Sequence, residues 1–196
     1  MKRYFNILVV TLIGIGFSNC SSGERNQQTV HEPAVTESES LYQMDGKWTT
    51  QNGDTFHLSE LKGKIPVVAM VFTSCTYACP KIIEDIQKVK RQVPVNQKEK
   101  MVYVLISFDT ERDTPERLKE FAISQQLDDQ WLLLHGDEDE VREMSMLLNV
   151  KYKKQPNGDF AHSNEVTLLD TQGAIIAQVE GLGKNQQPIV DKIKAM

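Results

Sequence analysis

Residues 66–80 read PVVAMVFTSCTYACP, and a change of character inside this stretch decides the fold. Pro66 to Thr73 is a continuous apolar run dense in Val, too short for a helix and suited to a strand covered on both faces. After Pro80, the residues Ile82, Ile86, Val89 and Val93 recur at helical spacing and give one apolar stripe. The chain therefore leaves a buried strand and enters a helix, with Cys75 and Cys79 at the junction. At this spacing on a helix start, two thiols can face one side within a single turn. A helix N-terminus offers partial positive charge and free N–H groups, which favour thiolate over thiol. Two thiolates held together can clamp a soft metal such as Cu(I), or join as a disulfide after local adjustment. A permanent structural staple fits less well, because so small a loop restricts the unfolded chain little.

The flanking sequence extends the same alternation. Met101 to Phe108 (MVYVLISF) reads as a second buried strand, and Trp131 to His135 as a third. Between them Thr114 can cap a helix that Pro115 opens, with Leu118, Phe121 and Ala122 inward. Asp137 begins another helix, with Val141, Met144 and Leu148 on its buried face. Gln155 to Asp159 (QPNGD) is a turn. Glu165–Asp170 and Ala174–Val179 form a hairpin around Gln172-Gly173, and a last helix starts near Pro188. Upstream, Asn52-Gly53 lies between short strand-like stretches within Trp48–Leu58, a β-hairpin signal. The expected class is α/β: a thioredoxin-like three-layer fold with a mixed central sheet and an N-terminal β-hairpin. The thioredoxin redox motif itself has two residues between its cysteines, and this chain has three.

A third ligand must come from elsewhere, and the chain has four histidines. A closed structural zinc site wants four ligands, more than the sequence offers here. His31 precedes the folded region, and His57 sits in the early hairpin, where a solvated or core-edge role suits it. His135 ends the third strand on the loop side of the sheet. His162 follows the QPNGD turn in a loop that such a fold can bring over the cysteines, so position favours it over His135. Asp109, just past the second strand, approaches the cysteine loop if the two strands run parallel, and is a candidate hydrogen-bond partner for a metal site. Asp113 is read as a residue that shapes the turn before Thr114.

The N-terminus has its own logic. Lys2 and Arg3 precede an apolar stretch from Ile7 to Phe17, and polar residues take over after Cys20. This is the plan of a secretory signal, and it is too short to span a bilayer. Phe17-Ser18-Asn19-Cys20 resembles a bacterial lipobox, with Ser18 matching and Asn19 and Phe17 departing from the usual residues. The expected organisation is a lipoprotein-type signal over residues 1–19, a flexible tether over 20–40 that begins at an acylated Cys20, and one domain over 41–196. The net charge of −5, without a Lys/Arg run, argues against a nucleic-acid partner. A monomer is the default expectation.

Four segments together resemble the Sco/SenC family: Phe72 to Pro80, Ser107 to Pro115, Trp131 to Gly136, and His162-Ser163 leading into Val166–Asp170. Thr110 and His135 stand where that family more often has Pro and Thr. The resemblance implies copper, Cu(I) or Cu(II), bound by Cys75, Cys79 and His162. It implies a metallochaperone that matures the dinuclear copper site of a respiratory cytochrome c oxidase, whose copper-bearing subunit would be the partner. Another copper chaperone enters as a candidate donor. It also raises thiol–disulfide exchange by Cys75 and Cys79 as an alternative activity. The location that follows is the bacterial cell envelope, lipid-anchored to a membrane with the domain outside the cytoplasm.

Overall fold

The computed structural model describes residues 40–196. The expected signal segment, Cys20, His31 and the tether up to residue 39 lie outside the described residues. Ser40 already belongs to the fold, since its hydroxyl accepts from the Tyr42 amide and donates to the Gln172 carbonyl. Gly173, beside it, has φ +85°, and a Cβ there would lie 2.7 Å from both Ser40 and Tyr42, so only glycine serves.

Seven strands, β1 (Trp48–Thr50), β2 (Thr55–Phe56), β3 (Ile65–Val71), β4 (Met101–Ser107), β5 (Trp131–His135), β8 (Glu165–Leu169) and β9 (Ile175–Glu180), form one sheet. Their order across it is β2-β1-β5-β4-β3-β8-β9. A separate two-stranded sheet pairs β6 (Tyr152–Lys154) with β7 (Phe160–His162). The helices are α1 (Ala78–Gln92), α2 (Pro115–Ser124), α3 (Glu138–Leu147) and α4 (Gln187–Ala195). Among the described residues no helix is long and apolar enough to cross a membrane.

The sheet is mixed. β3, β4 and β5 run parallel, β8 joins β3 antiparallel and continues into β9, and β1 pairs antiparallel with both β5 and β2. Every residue of β3 is buried, so the centre of the sheet is covered on both faces and forms the middle layer of three. The stripe Ile82, Ile86 and Val89 of α1 is buried with Val93 just beyond it, and α1 also packs against α4. Thr114 accepts from the Arg117 amide at the start of α2, and Asp137 caps α3 in a reciprocal arrangement with Glu140. Because β3 and β4 are parallel neighbours, both end on the same side, and the loops after them meet there.

Candidate metal centre

The cysteine loop begins where β3 ends. Thr73 donates its amide to Asp113 Oδ2 (2.8 Å) and its hydroxyl to Asp113 Oδ1 (2.5 Å). Ser107, at the end of β4, donates its hydroxyl to Asp113 Oδ2 (2.6 Å). Asp113 is fully buried, so one carboxylate ties the exits of both parallel strands together. The chain then turns, with the Cys75 amide donating to the Phe72 carbonyl (3.2 Å), and α1 starts at Ala78.

The N-cap residue of α1, Tyr77, supplies no side-chain acceptor. The Cys75 sulfur takes that place, accepting from the Cys79 amide at 3.3 Å. Cys79 is fully buried, whereas Cys75 is half-buried. The Cys79 thiol hydrogen-bonds Cys75, and with help from the Cys79 and Tyr77 amides and His162 it holds Cys75 down at about 4, against the pull of burial. The same contact, together with burial and the nearby Asp113 charge, pushes Cys79 up. Cys75 is therefore the thiolate of the pair and Cys79 keeps the proton.

His162 arrives from β7. Its Nδ1 lies 2.8 Å from the Ser163 carbonyl oxygen, a contact that an Nδ1–H donates, which leaves Nε2 as the nitrogen available to a metal. The ring packs edge-on to Phe72 (5.9 Å between centroids) and against Phe108 (5.1 Å). One donor atom each from Cys75, Cys79 and His162 lies within 4.8 Å of the other two. Ligands about 2.3 Å (sulfur) and 2.0–2.1 Å (nitrogen) from one ion stand up to about 4.6 Å apart, so the three fit around a metal after adjustments of a few tenths of an ångström. Two sulfurs and an imidazole form a soft-to-borderline donor set suited to copper.

The other sequence candidates lie elsewhere. His135 ends β5, opposite Thr49, and is not in the donor group. His57 precedes a 3-10 turn and donates its own amide to the Glu60 carboxylate (2.8 Å). Asp109 is buried, but its Oδ2 pairs with Arg112, its Oδ1 has no partner among the described residues, and it makes no hydrogen bond to the three donors. The carboxylate that reaches the loop is Asp113: its amide bonds back to the Asp109 carbonyl (3.0 Å), which folds its side chain beneath the exit of β3. The sequence reading assigned Asp113 to turn shaping alone. Spacing gave no sign of its cross-strand partners, although a second aspartate four residues on was the available hint.

The SCO1/SenC family model matches residues 36–196. A SCO2-like protein of Rickettsia conorii is 30% identical over 131 residues, covering 63% of this chain and 62% of that protein. The chain spans a little under two thirds of the length of the curated relatives it matches first, 62% and 64%. Among solved structures, Bradyrhizobium japonicum ScoI with copper bound superposes with TM-score 0.63 at 27% identity, over 76% of this chain and 96% of that one. A SCO1/SenC family lipoprotein from Bacillus anthracis gives TM-score 0.68 at 27% identity, over 76% and 90%. The family model thus spans every described residue, and the chain belongs to the SCO1/SenC family.

Proposed function

We propose that this chain is a copper-binding metallochaperone that carries one copper ion as cargo on Cys75, Cys79 and His162. One observation carries the reading: two sulfurs and an imidazole nitrogen converge within 4.8 Å, one thiol sealed in the core and the other ionised and half-open. Thiolates select a soft ion, and imidazole extends the set to the oxidised one. The copper held by the similar Bradyrhizobium japonicum protein supports the same cargo here. The recipient we assign is the copper-bearing subunit of a respiratory cytochrome c oxidase, the task the family resemblance implies. Cys20 would hold the protein to a membrane of the bacterial envelope, a placement supported by the lipoprotein among its structural relatives.

The test is an anaerobic copper titration of the full chain beside His162→Ala. One tightly bound copper is expected, with thiolate-to-Cu(II) charge-transfer bands in the oxidised form. Loss of the imidazole should weaken binding at least about a hundredfold. Equal affinity in the two proteins would sink the ligand assignment.

The unequal thiols favour one second reading, thiol–disulfide reduction. The Cys75 thiolate would attack a target disulfide and expel one target thiolate; Cys79, passing its proton to the second departing target sulfur, would then resolve the mixed disulfide. The target gains two electrons and the pair ends as a Cys75–Cys79 disulfide. His162→Ala should keep this activity while losing copper, so the same variant separates the two readings.

A further inference from the structure

A cleft of about 570 Å³ opens beside the metal centre, with Phe108, which packs against His162, and Phe160, which packs against Phe108, among its lining residues. Its opposite wall is one face of α3, formed by Glu138, Arg142 and Ser145. The near wall is Lys151, Tyr152, Lys153 and Lys154. Successive side chains of a strand point to opposite faces, so four in a row can border one cleft only if the cleft runs along the strand's edge.

Among the described residues that edge is unpaired, and β6 has β7 as its only strand neighbour. The Ser163 amide bonds the Lys151 carbonyl and the Gln155 amide bonds the Asp159 carbonyl, which makes 151, 153 and 155 the positions that bond inward. The backbone groups of Tyr152 and Lys154 therefore point out toward the cleft.

The charges around the cleft are selective. Arg142 is engaged by Glu138 and Asp139, and Lys154 by Glu111. Lys151 acts on the Glu165 carboxyl without pairing with it, and Lys153 enters no ion pair among the described residues. Lysines on an exposed edge ordinarily deter strand addition, unless the incoming strand brings counter-charges. On the cleft wall, Asp109 is 1% exposed with its Oδ1 unpartnered, an acceptor waiting for a donor.

We propose that the outer edge of β6 is a docking site for an extended acidic segment of a partner protein, which adds as a third strand against α3. Its backbone meets Tyr152 and Lys154, its carboxylates meet Lys151 and Lys153, and one of its N–H groups reaches Asp109 Oδ1. A segment so placed lies one aromatic layer from His162, where an exchange partner for the metal would have to be held. That purpose rests on the copper-carrier reading; the docking itself does not.

The experiment titrates metal-free, isotope-labelled full chain with a capped peptide of alternating Asp and Val, against a control of alternating Lys and Val. Amide shifts and exchange protection are expected at Tyr152 and Lys154 with the acidic peptide alone. Lys153→Glu should weaken binding about tenfold or more. Lys154→Pro, which removes an outward N–H at an edge position that tolerates proline, should weaken it further than Lys154→Ala. Copper stoichiometry of each variant shows that the hairpin still presents His162. No response at β6, equal binding of the Lys peptide, or variants that bind like the parent would overturn the proposal. Docking without copper binding would instead overturn the carrier reading and leave the site standing.

Discussion

Cys79 turns both its amide and its thiol toward the Cys75 sulfur, so the pair shares one negative charge and Cys75 carries it. In metal-free protein, iodoacetamide should label Cys75 well before Cys79. The rate should change little between about pH 6 and pH 8, where an ordinary thiol would speed up roughly tenfold per unit. A steep rise, or Cys79 reacting first, would show that the thiolate is misassigned. Asp113 acts at the same scale: Asp113→Ala strands three donors from Thr73 and Ser107. The expected cost is about 3 kcal/mol, a fall in Tm on the order of 10 °C by calorimetry. The cysteines were legible because their spacing and position say what they can do together. Asp113 was not, because its partners sit on two other segments and no local pattern announces them.

Among the elements, the β6–β7 hairpin sets the presentation of His162. Phe108, one residue past β4, stacks on Tyr152 (5.3 Å between centroids) and meets Phe160 and His162 (both 5.1 Å), fastening the hairpin to the main sheet. Phe108→Ala should cost about 3–5 kcal/mol and speed hydrogen exchange across Tyr152–His162 more than across β3. Uniform exchange in the variant would mean that the hairpin is held by something else. The long elements were readable because burial imprints a period: β3 and β4 as unbroken apolar runs, α1 through its stripe, α2 and α3 through their caps. β6 and β7 are three residues each, too short to show alternation, so only their connecting turn was visible and His162 was taken to lie in a loop.

Across the whole molecule, the antiparallel β8–β9 seam carries a conflict. Glu165 faces Glu180 in register, and burial first, then that neighbouring charge, push Glu165 up to about 7. Below about pH 4.5 the group is protonated whether or not the chain is folded. Between there and about 7 the folded form keeps a proton that the unfolded chain has lost, so stability falls as pH rises and the contribution is gone above it. Glu165→Gln should flatten this slope in denaturant titrations and stabilise the protein by about 2 kcal/mol near pH 8. An unchanged slope would place the titration on another group. The thioredoxin-like plan was legible from the order of strands and helices, but this seam was not, because the pairing register is a property of the assembled sheet. The unequal burial of the two cysteines gives traffic through the site a direction. If the chain carries copper as proposed, Cys79 would close off the back of the ion, an incoming ligand would arrive from the side of Cys75 and His162, and Cys79 would let go last. Rapid mixing of the copper-loaded protein with a thiol chelator should then reveal a transient ternary complex still bonded through Cys79, the signature of a handover in which the cargo never passes through water.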